Sequence, residues 1–445
     1  MASAAEQLAR NLNFGTFAKA KVLQQRIWFT LGVLLVYRLG TYIPVPGIDP
    51  EAYAQSFEQA SQGVVGMFNM FAGGAVERMA IFALNLIPYI TASIVIQVIS
   101  SASPRLEALK KEGEAGRRKL NQYTRYLTVA FCAVQAYGIA VGLEASQGVV
   151  INPGWFFRVS TVITLVGGTM FLMWLGEQIT ARGVGNGISL IIFAGIVANL
   201  PATIAQTLEL SQTGALPTLA VLGLLILAIV VIAVIVFFER AQRRLLIQYP
   251  KRQVGNKMFQ GDTSHLPLKL NTAGVIPVIF GSSLLLLPAT IVSFAAVGDA
   301  PQWLQVTSAL LGRGQPLYLA LFAALIIFFA FFYTSIVFNP TETADNLKRS
   351  GGFIPGIRPG ERTAQYIDYV LTRITVVGAI YLTVVALIPE VLVSQLNVSQ
   401  FIGGTSLLII VTVTLDTINQ IQSHLIAQQY EGLVKRSRLG GGKRR

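Results

Sequence analysis

The chain has 445 residues, with 34 Lys or Arg and 21 Asp or Glu, so its formal net charge is +13. Only 12% of its residues are charged and 53% are hydrophobic, a balance that excludes a soluble enzyme and a disordered chain. The single cysteine, Cys132, excludes a disulfide scaffold and a cysteine-based metal site. Two distant histidines leave little for a zinc site. The composition therefore indicates a polytopic membrane protein without a cofactor.

A membrane-spanning helix needs about 20 mostly apolar residues, and ten windows of the sequence approach this requirement. The clearest window, 216–238, contains no charged residue, whereas the weakest, 27–42, contains Arg38. The short apolar run near the N-terminus is not expected to be a signal peptide, because no small-residue triplet follows it closely. In chain order, the predicted spans are 27–42, 79–99, 126–143, 159–175, 188–208, 216–238, 274–297, 317–338, 374–393 and 402–421.

The basic residues alternate between the predicted loops. Of the 34 Lys and Arg, 30 fall in every second loop or in the termini and 3 fall in the other loops. The positive-inside rule then places both termini in the cytoplasm, which agrees with an even number of spans. Ten spans also divide into five and five, and an odd number in each half predicts two inverted halves with a functional path between them.

An apolar, glycine-rich stretch, 63–75, precedes the second predicted span on the outer side. It is too short to cross the membrane. Apolar backbone of this kind survives at membrane depth only when it is buried in protein or lines a cavity, and the functional interpretation is a re-entrant stopper over a pore, although the residues alone favour the structural one. A short helix lying in the membrane interface is the alternative that the residues alone leave open.

Few ionisable residues lie within the predicted spans. Arg38 and Asp416 are the clear candidates, and Arg38 is expected to extend its side chain to the interface. An ion-coupled transporter usually needs several buried carboxylates or histidines, so this scarcity argues against one. Thr91, Gln97 and Asn271 instead predict a weak polar seam between helices that could part.

Three cytoplasmic stretches are long and basic, and the longest is 239–270. It contains a half-alternating run that begins at Arg244 and precedes Pro250, which predicts a projecting hairpin. These loops either only maintain the topology or also bind an anionic partner, for which ribosomal RNA and an acidic cytosolic motor are equally suitable.

Seven motifs occur in order along nearly the whole chain, and together they carry a family resemblance. They are Phe68-Asn-Met-Phe71 with Gly73-Gly74, Lys111-Glu-Gly-Glu-Ala-Gly-Arg-Arg-Lys119, Met173-Trp-Leu-Gly-Glu-Gln-Ile-Thr180, Gly185-Asn-Gly-Ile-Ser189, Phe338-Asn-Pro340 with Glu342-Thr-Ala-Asp-Asn346, Ile354-Pro-Gly-Ile-Arg-Pro-Gly-Glu361 and Gly403-Gly-Thr-Ser-Leu407. With them the sequence resembles the SecY/Sec61-alpha family, the channel subunits of the Sec protein translocon.

The resemblance implies an all-α polytopic membrane protein with ten transmembrane helices in two inverted five-helix halves around a central pore. The implied organisation is a cytoplasmic N-terminal segment 1–26, an N-terminal half 27–208 with a plug at 64–76, a hinge loop 209–215, a C-terminal half 216–421 with cytoplasmic loops 239–270 and 339–373, and a basic tail 422–445. The implied function is passage of unfolded polypeptides across the bacterial inner membrane, with sideways release of apolar segments into lipid. No catalytic activity is implied.

Matching the family's motifs position by position gives four groups of site residues. The pore ring would be Leu86, Ile90, Ile188, Ile192, Ile279 and Ile409. The plug would contain Met67, Phe68, Asn69, Met70, Phe71, Gly73 and Gly74. The lateral gate would include Thr91, Gln97 and Asn271. Docking of SecA or the ribosome would use Arg240, Arg243, Arg244, Lys251, Arg252 and Arg358.

The partners that the resemblance implies are the SecE and SecG subunits, the SecA motor, the ribosome, signal peptides, nascent chains and membrane lipids. Association with SecD/SecF and YidC is also implied.

Two rival functions follow from the residues themselves. A secondary transporter of small solutes would also use inverted repeats, but it would not need large basic loops. An intramembrane enzyme would need a buried nucleophile with a base, and no His lies near Cys132 in the sequence.

Overall fold

A computed structural model describes residues 20–60, 69–146, 148–214, 217–249, 252–254, 257–259, 263–295, 306, 310, 315–396 and 403–440. The described chain is mainly helical. The helices are α1 (Lys21–Gly40), α2 (Pro50–Ala60), α3 (Ile87–Ala102), α4 (Pro104–Lys111), α5 (Glu114–Ala145), α6 (Trp155–Arg182), α7 (Gly187–Gln212), α8 (Thr218–Arg240), α9 (Ile276–Ala295), α10 (Pro316–Val337), α11 (Pro340–Arg349), α12 (Glu361–Leu396) and α13 (Gly404–Gly440).

Seven helices within the described residues are long and apolar enough to cross a membrane, and the bent pair α3 and α4 would make an eighth span. The seven are α5, α6, α7, α8, α10, α12 and α13. The prediction of a multi-span helical membrane protein is therefore confirmed. α1 is not among the seven, and it carries Arg26 and Arg38 among its 20 residues.

The predicted second span, 79–99, is wrong at its N-terminal end, because α3 begins only at Ile87. Residues 81–86 form turns instead, and Asn85 adopts a left-handed backbone conformation with φ of 48°. Pro88 at the start of α3 lacks a backbone N–H, which suits the first turn of a helix. Apolar composition alone does not distinguish this buried turn from a helix.

The loop 239–270 contains two small antiparallel sheets, so the chain is not purely helical. The outer sheet pairs β1 (Gln242–Gln248) with β4 (Thr263–Lys269), and the inner sheet pairs β2 (Arg252–Val254) with β3 (Lys257–Phe259). Arg243 lies opposite Leu268, and Leu245 lies opposite Leu266. The predicted hairpin is confirmed, and among the described residues the prediction of an all-α chain is wrong for these short strands.

The chain divides into two compact units. The first contains 1–204, 289–308 and 413–445, and the second contains 205–288 and 309–412. In the first unit, α5 and α6 are linked by two ion pairs, Arg125–Glu177 at 2.7 Å and Arg158–Glu144 at 2.6 Å.

The second unit has an apolar core beneath the outer sheet. Leu245 and Leu268 of the sheet are buried with Ile367, Val370 and Ile374 of α12. α11, which follows α10, begins with a capped turn: the Asn339 side chain accepts hydrogen bonds from the backbone N–H groups of Thr341 and Glu342.

Candidate functional site

The predicted plug is described from Asn69 onward, whereas Met67 and Phe68 lie outside the described residues. The segment 69–80, which we call the plug segment, contains one short helical turn and then a series of turns. Phe71, Ala72, Ala75 and Val76 are buried in the first unit. The segment is therefore enclosed by protein within its unit.

Polar side chains from two neighbouring elements bind the carbonyl groups of the plug segment. The Arg38 guanidinium of α1 donates a 2.6 Å hydrogen bond to the Gly73 carbonyl. The Asn85 side-chain amide, in the turn before α3, donates at 2.6 Å to the carbonyl of Phe71. Both carbonyls are thus satisfied by side chains, which lowers the free-energy cost of burying this irregular backbone.

Three further side chains hold the plug segment from other directions. Tyr53 of α2 donates to the Val76 carbonyl at 2.8 Å, and burial raises the pKa of its phenol, so it remains a neutral donor. Tyr37 donates to the Ala72 carbonyl and Asn199 of α7 to the Asn69 carbonyl, both at 3.4 Å. Together these contacts define one resting position for the segment within its unit.

Arg38 does not simply extend to the interface as its sequence position suggested. In addition to Gly73, it donates to the Tyr42 hydroxyl at 2.8 Å and lies 4.9 Å from the centre of that ring. Arg78, at the end of the plug segment, stacks on the same ring at 4.2 Å. Two cations therefore share one aromatic ring at the boundary of the plug segment.

Four residues of the predicted pore ring lie in the first unit. Leu86 and Ile90 are one turn apart at the start of α3, and both are buried. Ile188 and Ile192 are one turn apart on α7, where Ile188 is half-buried and Ile192 is buried. The Asn186 side chain accepts a hydrogen bond from the Ile188 backbone N–H at 3.1 Å and so fixes the first turn of α7.

The other two predicted ring residues lie in the second unit. Ile279 is on α9 and Ile409 is on α13, and both are buried. All six positions carry branched aliphatic side chains, which have no hydrogen-bonding group with which to hold a particular sequence.

The predicted lateral-gate residues each have a local hydrogen bond. Thr91 donates to the Ile87 carbonyl at 3.0 Å, and Gln97 donates to the Ser93 hydroxyl at 3.2 Å, both within α3. The buried Gln97 carbonyl oxygen has no partner among the described residues. Neutral, partly unsatisfied groups of this kind can change partners at low free-energy cost.

Asn271, the third predicted gate residue, is buried in the second unit just before α9. Its amide donates to the Glu239 carboxylate at 2.7 Å and to the Gly274 carbonyl at 3.0 Å. Asn271 therefore ties the approach to α9 to the end of α8, a link that sequence analysis did not identify.

The predicted docking arginines come from two loops that the structure joins. The strand β1 and the loop 350–360 meet at a β-bridge, in which Gln248 and Phe353 exchange two backbone hydrogen bonds of 2.9 and 3.0 Å. Ile354 of that loop belongs to the same buried core as Leu245. The outer sheet and the loop that carries Arg358 are thus one structural element, which we call the basic platform.

Most of the predicted docking arginines lie on the protein surface. Arg240, Arg243, Arg244 and Arg358 are all exposed, and none forms an ion pair within the described residues. Arg252 lies in β2, and Lys251 falls outside the described residues. Exposed guanidinium groups without an ion-pair partner can bind an anionic macromolecular surface.

Several contacts of the plug segment could not be identified from the sequence. Tyr37 and Tyr53 carried no motif signal. Asn85 and Asn199 were visible only as polar interruptions of apolar windows, and Arg38 only as a charge inside a predicted span. A polar residue within an apolar window is the signal that could have identified Asn85, Asn199 and Arg38.

Comparison with known proteins gives one consistent family. The SecY family model matches residues 80–418. The protein translocase subunit SecY of Rickettsia felis is 55% identical over 421 residues, which cover 94% of this chain and 97% of that protein. The SecY of Escherichia coli K12 is 53% identical over 422 residues, covering 94% of this chain and 95% of that protein.

Solved structures show the same fold at low identity. A structure reported for the plug domain of SecY, which stabilises the closed state of the translocation channel and maintains a membrane seal, has a TM-score of 0.61 and 17% identity. The alignment covers 90% of this chain and 92% of that one. At 55% identity to a curated relative over almost its full length, the chain belongs to the SecY family of protein translocase subunits.

Proposed function

We propose that the chain forms the protein-conducting channel of a bacterial translocon and passes unfolded secretory polypeptides through the membrane. The observation that carries this proposal is the plug segment: a buried, non-spanning stretch held through its backbone carbonyls by Arg38, Asn85 and Tyr53. Side chains hold the backbone at single points, so the segment can leave as one piece when those bonds are exchanged for others.

The six aliphatic residues at 86, 90, 188, 192, 279 and 409 form the narrow ring of this channel in our proposal. Branched aliphatic side chains adapt to extended chains of any composition, and a narrow apolar ring excludes water and ions. Apolar segments of the substrate then leave sideways through a gate at Thr91, Gln97 and Asn271, because they gain free energy in lipid whereas charged segments lose several kcal/mol there.

The proposed topology has ten spans with both termini in the cytoplasm of the bacterial inner membrane. The alternation of Lys and Arg along the loops supports it, since only one orientation places 30 of these 34 residues on the cytoplasmic side. The proposed halves are 27–208 and 216–421, joined by the hinge 209–215.

We assign the basic platform to partner binding on the cytoplasmic side. The exposed arginines at 240, 243, 244 and 358 suit both ribosomal RNA phosphates and an acidic face of the SecA motor. The fold neighbours include Sec61 in the canine ribosome–channel complex, with a TM-score of 0.58, 15% identity and coverage of 90% of this chain and 92% of that one. SecE, SecG, SecD/SecF and YidC are further partners in this proposal.

Crosslinking of a stalled precursor tests the proposed path. A cysteine in place of Ile192 should form a crosslink to the precursor during export, because this position lines the proposed ring. Ile229→Cys is the matched control, since Ile229 is an exposed side chain of the most apolar span, α8. The native Cys132 is buried and gives little background. Equal crosslinking at both positions would contradict the proposal.

Transport of a small solute is the alternative function that the sequence left open. A proteoliposome assay distinguishes a solute transporter from a protein-conducting channel. Solute counterflow by this chain alone would favour the carrier. Motor-driven export of an unfolded precursor, with partner subunits present, would favour the channel.

A further inference from the structure

A pocket of about 460 Å³ lies in the second unit, between the outer sheet and α12. Arg243 of β1 forms one wall, and Arg373 of α12 forms another. The α12 lining residues at 366, 369, 370, 373, 374 and 377 follow helical spacing, so one face of the helix supplies them. They extend over about 16 Å of helix.

The lining residues of α12 run from a basic end to an apolar end. Tyr366, Tyr369 and Arg373 come earlier along the helix, and the apolar Val377 is the last lining residue. The Arg373 guanidinium stacks 4.1 Å from the centre of the Tyr369 ring, a contact that orients its N–H groups without using them.

Neither arginine is neutralised within the described part of the chain. Arg243 and Arg373 form no ion pair there. The neighbouring carboxylates are directed elsewhere: Glu239 accepts from Asn271, and Asp368 is exposed and does not line the pocket. Two cations that line one pocket and have no ion-pair partner among the described residues favour an anionic ligand.

The apolar end continues along the surface of a membrane-spanning helix. Beyond the pocket, Ile380 and Val384 lie on the same side of α12 as Val377, and all three are strongly exposed. α12 is among the helices long and apolar enough to span the bilayer. A small soluble anion would use only the basic end, whereas a molecule with a phosphate and an acyl chain would use both.

We propose that this pocket binds one anionic phospholipid, with the phosphate between Arg243 and Arg373 and an acyl chain along Val377, Ile380 and Val384. The two tyrosines place the phosphate at the membrane–water boundary, where aromatic side chains with a polar tip are favoured. The charge of the pocket selects anionic over zwitterionic lipid. This site is separate from the plug segment, and its test does not require protein export.

Lipid binding is measured on the full-length chain by native mass spectrometry, with phosphatidylglycerol as the probe and phosphatidylcholine of equal chain length as the comparison. Each of R243Q and R373Q should weaken phosphatidylglycerol binding by about fivefold and leave phosphatidylcholine binding unchanged. R362Q is the matched control, because Arg362 is exposed on the same helix and does not line the pocket. R373K should retain most of the affinity.

Two results would overturn the proposal. The first is that R243Q and R373Q bind phosphatidylglycerol as tightly as the control R362Q does. Limited proteolysis must show in the same experiment that the outer sheet is intact. The second is that soluble glycerol phosphate, at the same concentration as the lipid, displaces the lipid. That result would indicate a site for small anions.

A photocrosslinking experiment identifies the occupant in native membranes. Tyr369 is replaced by p-benzoylphenylalanine in the assembled complex, and the crosslinked product is analysed by mass. A phospholipid adduct supports the proposal, and an adduct with an acidic segment of a partner protein overturns it.

Discussion

Gly73 of the plug segment and Gly195 of α7 approach each other so closely that a Cβ atom on Gly73 would lie 2.9 Å from the Gly195 Cα atom. A Cβ atom on Gly195 would lie 2.7 Å from the Phe71 carbonyl oxygen and 2.8 Å from the Tyr37 hydroxyl. Gly73 also has a φ of 67°, a backbone conformation that residues other than glycine rarely adopt. The resting position of the plug segment therefore depends on two glycines from distant parts of the sequence.

Gly195→Ala should displace the plug segment, because the new methyl group collides with backbone and a buried hydroxyl that cannot both move. We expect a higher ion conductance of the resting channel in planar bilayers. Gly167→Ala is the control, since Gly167 is a helical glycine in α6 with open space around its Cβ position. Conductance that rises equally in both variants would contradict the proposed contact.

Arg38→Gln should loosen the plug segment by removing a charge-assisted hydrogen bond to Gly73. Such bonds contribute about 1.5–3 kcal/mol, so the segment should leave its resting position more often. The measurement is the labelling rate of a cysteine at Ala72, which is fully buried at rest.

Arg105→Gln is the matched control, because Arg105 is exposed on α4. If Arg38→Gln leaves labelling of the cysteine at position 72 as slow as the control does, the guanidinium does not hold the plug segment.

Leu245→Ala should release the outer sheet from α12. Leu245 is buried in the core of the basic platform, and removing such a side chain costs about 2–5 kcal/mol. Tryptic cleavage at Arg243 and Arg244 should accelerate. Leu246→Ala is the control on the adjacent, outward-facing position; similar cleavage of both variants would show that the sheet is not held by this core.

Arg358→Glu should impair motor-dependent export while the protein remains folded and inserted. Reversal of an exposed charge changes a surface interaction by about 1 kcal/mol, or about fivefold in motor affinity. The measurement is the rate at which a precursor is exported into inverted membrane vesicles. Arg362→Glu is the control, because Arg362 is an exposed residue four positions away. An export rate unaffected by Arg358→Glu would remove this arginine from the docking surface.

The fold was predictable where the sequence signal is local. The charge-free window 216–238 corresponds to α8, and the alternating run after Arg244 corresponds to β1, because periodicity and apolar length depend on neighbouring residues. The window 79–99 failed where Asn85 turns the chain to bind the Phe71 carbonyl, a long-range contact that hydropathy does not encode.

The candidate site likewise contains some features that the sequence could predict and others that depend on tertiary packing. The aliphatic ring and the plug glycines could be proposed from family motifs, but the roles of Tyr53, Asn199 and Gly195 arise only when α2, α7 and the plug segment pack together. The joining of β1 to the loop at Phe353 likewise depends on a pairing across more than 100 residues, for which a single sequence carries no signal.

The bridge between Gln248 and Phe353 has a mechanical consequence. Because Leu245 and Ile367 of α12 belong to one buried core, a protein that pulls on the sheet also applies force to the N-terminal part of that helix. α12 has 36 residues and is about 54 Å long. A continuous helix of this length connects the sheet at one end to residues about 50 Å away along its axis, so a load on the sheet is not confined to the sheet.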